Sequence, residues 1–295
     1  MDIKPSFSHK TQEPEKSVLY IVATPIGNLN DLSQRAINVL KNVSLIACED
    51  TRQTKKIMNK YEFTNNLTSF NKHNSQIKTQ RIINELNSGK SIALVSDAGM
   101  PSICDPGEDL VRKVLLSGNN IICIPGPCAA LTALVASGLP SSKFIFEGFL
   151  PKKKSEREQL LLEISKNNKT TILYESPHRF RKLLCELKEY LGGDREIKVF
   201  RELTKKFEQH IGDNVNQVID YFEGKEILGE ITIVIKGLDK TINKSEVNKV
   251  ELKKDLNDLI QAGLSLSEAS KYLAKKNCLS KNLIYDMFKT QTSKK

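Results

Sequence analysis

The sequence predicts an α/β protein of two domains with a small helical appendage. Three observations predict it. Short apolar runs alternate with helix-period segments up to about residue 140, the pattern of a parallel sheet covered by helices. The run opening at Ile92 is small and apolar, with β-branched Ile92 and Val95, and stops at a loop holding two Gly and two Pro. That is the signature of a strand buried on both faces. Beyond Gly237 a polar linker gives way to short helix-period segments that begin with Ser.

Length and composition bound the answer. A chain of 295 residues suits about two domains and buries a substantial core. Apolar content of 39% with 27% charged residues is that of a soluble globular protein. No apolar run approaches the ~20 residues needed to cross a bilayer. Residues 1–16 are polar, without the apolar centre of a signal peptide, and predict a loose arm on a cytoplasmic protein. Six Cys stand without CxxC pairing, so a reduced, packed role is expected of them, including Cys104 and Cys128 in their loops. His9, His73, His178 and His210 are too dispersed for a metal cluster. Net charge is +10, which favours a polyanionic partner.

In chain order, residues 17–24 form the first strand, followed by the loop Pro25, Ile26, Gly27, Asn28, Leu29. Asp31 is placed as the cap of the next helix, whose stripe is Leu32, Ala36, Val39 and Leu40. The loop does not match G-x-G-x-x-G. Residues 44–52 form a second strand ending in Glu49, Asp50, Thr51 and Arg52. Four such groups make either a salt-bridged turn or the wall of a site. LTSFNKHN follows, then a helix over 77–86 and the Ile92 strand. That strand feeds Asp97, Ala98, Gly99, then Pro101, Asp105, Pro106 and Gly107, before a helix that stops at Gly118. A carboxylate directly after a central strand sits where open α/β sheets bind ligands. Residues 120–138 give strand, Pro125-Gly126-Pro127 turn and a helix with the small residues Ala129, Ala130, Ala133 and Ala136.

Composition shifts near residue 143. Phe144, Phe146 and Phe149 alternate as in a strand, and Lys152, Lys153, Lys154 and Arg157 open a helix. Strands TTILYES, EIKVFREL and EITIVIKG follow, separated by helices. The expected boundaries are an arm over 1–16, α/β domains over 17–142 and 143–239, and a linker with helical tail over 240–295. Three short helices in that tail resemble a helix-turn-helix. Residues 241–295 carry eleven Lys against six Asp and Glu, an excess of 11 − 6 = +5.

The loops TPIGNLND, SDAGMPSICDPG, IPGPCAALTAL, GFLPKKK, YESPHR, RELTKKFE and GEITIVIKG, in this order, resemble the tetrapyrrole methylase superfamily. Within it they are most similar to bacterial enzymes that 2′-O-methylate a cytidine in the decoding region of small-subunit (16S) ribosomal RNA, supporting ribosome fidelity. The resemblance spans about residues 18–237, and the tail is similar to the helical appendage of those enzymes. It implies a two-domain tetrapyrrole-methylase-like fold, S-adenosylmethionine in a cleft between the halves, and a homodimer. Its partner would be the small ribosomal subunit, with no DNA, membrane or metal. By motif, Pro25 and Gly27 belong to the first cofactor loop. Asp97, Ala98, Gly99 and Ser102 belong to the second, Ala129 and Ala130 to the third. Leu203 comes from the RELTK stretch, and Glu230, Ile231 and Thr232 from the last strand. Met100 stands where the family has Thr, and Lys72 where it has an acidic residue.

Methyl transfer to a ribose hydroxyl is an in-line displacement, so alignment is the first requirement. A general base adds on the order of 10²–10⁴-fold. Asp50, Glu175, His178, Glu202 and Lys205 are the candidates at strand ends. Arg52, Arg179 and Arg201 suit phosphate or an internal carboxylate equally. The basic run Lys152, Lys153, Lys154 and Arg157, with Lys281 in the tail, favours RNA. Methylation of a small tetrapyrrole, or RNA binding without catalysis, are the competing readings.

Overall fold

A computed structural model describes residues 13–238, 249–276 and 284–285. The chain divides into two compact units, Met1–Lys236 and Gly237–Lys295. The first unit holds two five-stranded sheets.

The first sheet comprises β1 (Val18–Val22), β2 (Leu45–Cys48), β3 (Leu67–Ser69), β4 (Ile92–Val95) and β5 (Asn120–Ile124), in the order β3-β2-β4-β1-β5. Every pairing is parallel; Leu19 lies opposite Ile92 and Ile121. The period of two decides which side chains go where. Val18, Tyr20 and Val22 pack with α1 (Gln34–Asn42) and Ile57 of α2 (Thr51–Lys60). Leu19 and Ile21 pack on the other face with α3 (Ser75–Asn87) and α4 (Glu108–Leu116). All five residues of β1 are buried. Each fully buried Val, Leu or Ile contributes roughly 1.5–3 kcal/mol, so an unbroken apolar strand is stable only between two layers.

The second sheet is mixed, in the order β6-β7-β10-β8-β9: β6 (Phe144–Phe149), β7 (Thr170–Glu175), β8 (Ile197–Arg201), β9 (Gln209–Ile211) and β10 (Ile231–Ile235). Only β6 and β7 run parallel. One face is covered by α6 (Lys154–Lys166), α7 (Pro177–Leu191) and α8 (Val215–Phe222). The other face, with Ile172, Phe200 and Val234, packs on α5 (Ala129–Ser137) and Ile26. Ala130 and Ala133 are the small residues at that seam and let α5 approach the sheet closely. In the second unit, α9 (Lys249–Gln261) and α10 (Leu266–Lys276) share a core with Leu252, Leu256, Ala269, Leu273 and Ile284. Ser265 caps α10: its Oγ accepts from the Glu268 amide at 3.3 Å, and Glu268 reaches back to the Ser265 amide at 3.2 Å.

The structure corrects three local expectations. Ser33, not Asp31, caps α1, its Oγ accepting from the Ala36 amide at 3.1 Å; Asp31 ends a short 3-10 turn instead. The second strand stops at Cys48, and Thr51 and Arg52 open α2. The edge strand β9 lies where no strand was expected. The third tail helix, Ser280 and Lys281 fall outside the described residues, except for the helical pair 284–285.

Candidate functional site

The site is built where the first sheet's strand ends face the second sheet. The loops after β1 and β4 are laced together. The Thr24 amide donates to the Gly99 carbonyl at 2.9 Å, and the Gly99 amide donates back at 3.0 Å. Thr24 Oγ1 donates to the Ser96 carbonyl at 3.0 Å, and Ser96 Oγ to the Gly99 carbonyl at 2.9 Å. Gly99 adopts φ +85°, a backbone region that other residues avoid. The loop after β2 joins them, because the Asp50 amide donates to Asp97 Oδ1 at 2.9 Å. Asp97 is therefore held by backbone rather than by a cation.

These loops form one wall of a cavity of about 390 Å³. Glu49, Asp97 to Met100, Ile103 to Asp105, Cys128 and Ala129 line it from the first sheet's side. Phe149, Tyr174 to Pro177 and Glu230 to Thr232 line it from the second. Its volume lies in the ~300–1,000 Å³ range of small-molecule sites. The Tyr174 hydroxyl accepts from the Ala130 amide at 2.9 Å, tying the start of α5 to the second sheet across the cavity floor. Phe146 and Phe149 contact the Tyr174 ring edge-on, with centroids at 5.0 and 5.7 Å.

Charge in the cavity is one-sided. Burial, reinforced by the neighbouring carboxylates Glu49 and Asp97 against the opposing pull of Lys72, pushes the Asp105 carboxyl up to about 6. Burial also raises Asp97, with Asp50 adding to it, and raises Glu49, with Asp97 adding to it. Three partly desolvated carboxylates around one space destabilise one another and stabilise a cation placed among them.

The expected site residues separate into groups. Asp97, Ala98, Gly99, Ala129, Glu230, Ile231 and Thr232 line the cavity. Pro25, Gly27, Ser102, Ala130 and Leu203 lie behind it or beside it. Leu203 is in the seam with Ala130. Ser102, at φ +71°, packs against Gly107, where any Cβ would meet Ser102 Oγ at 2.1 Å.

Of the proton-transfer candidates, Glu175 alone lines the cavity. Its carboxylate is fully buried, 3.4 Å from Arg179 and 3.6 Å from Arg157. Asp50 caps α2 and pairs with Arg52 at 2.6 Å, and the Arg52 guanidinium holds its carboxyl down at about 2. His178 is exposed in the first turn of α7. Burial is the largest single influence against the charge on Glu202 and Lys205, but their mutual hydrogen bond at 2.8 Å, the bonds each makes to Glu230 and the charges around them together outweigh it. Glu202 is lowered, which weakens it as a base, and Lys205 is raised, which keeps it protonated and unable to accept a proton at neutral pH. Asp105 is absent from the expected site residues, yet it lines the cavity with Glu49 and Asp97; the signal that could have found it is its Asp-Pro-Gly step after the Ile92 strand.

The expected RNA residues also divide. Arg52 is exposed on α2, and Lys152, Lys153 and Lys154 are exposed at the start of α6. Arg179 donates to the Leu150 carbonyl at 2.7 Å, and Arg201 to Gln209 at 2.9 Å and the Leu228 carbonyl at 3.0 Å. Arg157 is corrected outright. Its side chain is 5% exposed, with Glu186 at 2.7 Å and Glu175 beyond it, so it cannot reach a phosphate. Its place on the buried face of α6, with Leu161 and Ile164, explains this.

Residues 18–218 match the family described as Tetrapyrrole (Corrin/Porphyrin) Methylases. The chain is 42% identical over 290 residues to the ribosomal RNA small subunit methyltransferase I of Bacillus subtilis, covering 96% of this chain and 97% of that one. It is 45% identical over 219 residues to the protein of the same name from Thermotoga maritima, covering 74% of this chain and 98% of that one. Among solved structures, a cobalt precorrin-4 methyltransferase superposes with a TM-score of 0.59 at 16% identity, covering 75% of this chain and 95% of that one. A uroporphyrin-III-C-methyltransferase from Thermus thermophilus gives 0.53 at 17% identity, covering 75% and 94%. At those identities the two structures speak to the fold alone. The two facing sheets, the three laced loops and the sequence match together make this chain a member of the tetrapyrrole methylase family.

Proposed function

We propose that the protein methylates the ribose 2′-hydroxyl of a cytidine in the decoding region of small-subunit ribosomal RNA, with S-adenosylmethionine as donor. The substrate rests on the names of the relatives, and the chemistry on the carboxylate-lined cavity, which is the observation that carries the reading. The donor set fits this cofactor. A sulfonium and an ammonium are both cations, and Glu49, Asp97 and Asp105 face the cavity with no arginine among its lining residues. Backbone and small side chains at Asp97 to Gly99, Ala129 and Glu230 to Thr232 would hold the cofactor without side-chain freedom, which suits alignment.

When bound, the cofactor supplies an electrophilic methyl group on a cationic sulfur. The chain's own residues do the rest. The carboxylates favour the cation electrostatically, and the cation in turn favours their ionised form. The Asp105 carboxylate, ionised at neutral pH beside a cation, accepts the ribose hydroxyl proton. Buried Glu175, with an arginine on each side, keeps the second wall in place. We further infer a homodimer acting in the cytoplasm on ribosomal particles. The exposed side of α5, with Leu131 at 49% and Val135 at 79%, supports a contact between copies. Among the described residues no helix is long and apolar enough to cross a membrane.

The test is calorimetric binding of S-adenosylmethionine, followed by nucleoside analysis of small-subunit RNA incubated with protein and cofactor. The expected product is 2′-O-methylcytidine. Binding without any methylated nucleoside would reject the RNA substrate, and absence of binding would reject the enzyme reading itself.

A further inference from the structure

α2 turns a basic face to solvent. Thr51–Lys60 carries Arg52, Lys55, Lys56 and Lys60 and no acidic residue, and all four basic side chains are exposed. Arg52 is engaged by Asp50, whereas Lys55, Lys56 and Lys60 form no ion pair among the described residues. Only Thr54, Ile57 and Met58 anchor the helix to the sheet, so the rest of its surface is available.

This stripe runs into an open groove. Gly27 to Asn30 form one wall and Thr204 to Lys206 the other, with Lys60 lining it as well. The Tyr61 hydroxyl donates to the Leu29 carbonyl and fixes the end of α2 against the first wall. The two walls touch tightly, since a Cβ on Gly27 would meet Lys205 Cγ at 2.4 Å. The groove adjoins the cavity. Ile26 and Glu230 line the cavity, while Gly27 and Lys205 line the groove, and Lys205 Nζ lies 3.1 Å from Glu230. Beside the groove Phe207 is 65% exposed, with Lys206 Nζ 5.5 Å from its ring centroid. The acidic groups here are already engaged: Glu202 and Glu230 by Lys205, Glu208 by His210 and the Thr204 amide.

We infer that α2 and this groove are the track that holds the substrate RNA strand. Phosphates lie on Lys55, Lys56, Lys60 and Lys206, an unpaired base stacks on Phe207, and the target ribose enters the cavity beside Glu230. Lysines on a helix face supply sequence-independent phosphate affinity, and an exposed ring supplies stacking for a single-stranded base. The inference rests on the RNA reading above and assigns that reading its contact surface.

The experiment measures binding of the full-length protein to small-subunit ribosomal RNA across a salt series. Wild type is compared with K55Q/K56Q/K60Q, F207A and K152Q/K153Q/K154Q. The α2 variant is expected to lose about three from the slope of log affinity against log salt, about one per lysine. F207A is expected to weaken binding roughly tenfold with the slope kept. Both are expected to bind S-adenosylmethionine like wild type, which reports an intact fold. An α2 variant with wild-type affinity and slope would overturn the track, as would a loss confined to K152Q/K153Q/K154Q. A wild-type protein that binds S-adenosylmethionine but no ribosomal RNA would overturn the functional reading itself, a result distinct from either.

Discussion

Asp105 owes its chemistry to its surroundings. Its carboxyl moves from an ordinary 3.8 to about 6 because it is partly buried, with Glu49 and Asp97 close by and Lys72 only partly compensating. Between those values the folded chain holds a proton that the unfolded chain has released. Stability therefore falls as pH rises through that window. Asp105→Asn is expected to raise the melting temperature at pH 7.5, with a much smaller gain at pH 4.5. Equal shifts at both values would contradict the burial account. If the proposed cofactor site is right, affinity for S-adenosylmethionine is expected to weaken as pH drops through about 6, and the variant to lose that dependence in calorimetry. Asp97 is held by the Asp50 amide and faces the cavity. Asp97→Ala is expected to weaken S-adenosylmethionine binding at least tenfold, about 1.4 kcal/mol, in a protein that still melts cooperatively. Unchanged affinity would remove Asp97 from the site.

At the scale of elements, Arg157 shows how a basic run can mislead. Lys152, Lys153 and Lys154 are solvated, while Arg157, one turn into α6, reaches under the helix to Glu186 and Glu175. Removing one partner of a buried network leaves uncompensated charge and costs ~3–5 kcal/mol. Glu186 is partly exposed, so Arg157→Met belongs at about 3 kcal/mol, whereas K152Q/K153Q/K154Q stays within ~0.5 kcal/mol. Urea midpoints separate the two, and similar midpoints would show that the Arg157 network is dispensable. The strands β1, β4 and β10 were legible because they are short runs that are apolar except for Thr232, with every residue buried. α2 was not, because three anchoring residues among four cations leave too thin a stripe for helical period to show. β9 was missed because a three-residue edge strand with Gln and His carries no alternation of its own. Asp31 and Ser33 are both good caps, and only the intervening 3-10 turn decides between them. The site loops were legible from Gly and Asp after strands. The shared carboxylate environment was not, since Glu49 and Asp105 meet only when β2 and β4 pair.

At the scale of the molecule, every residue lining the cavity belongs to the first unit. The Thermotoga relative is matched over 98% of its length by 74% of this chain, so about a quarter of this chain has no counterpart there. Deleting residues 241–295, with their +5 excess, is expected to leave cofactor affinity intact while raising the RNA concentration needed for half-maximal rate and lowering the salt slope. A truncated protein with unaltered RNA affinity and slope would leave the tail a structural role. Recognition along a basic track with one exposed ring reads shape more than sequence. Assembled small subunits are therefore expected to be methylated well, and a short oligonucleotide of the same sequence poorly. The proposed reaction is methyl transfer at this cavity to one ribose of the small subunit. Its most direct test is a position-resolved map of 2′-O-methylation on small subunits incubated with S-adenosylmethionine, with and without the protein. A single new methylated cytidine in the decoding region, present with wild type and absent with Asp97→Ala, is the predicted result. An identical map with and without a protein that demonstrably binds the cofactor would contradict it.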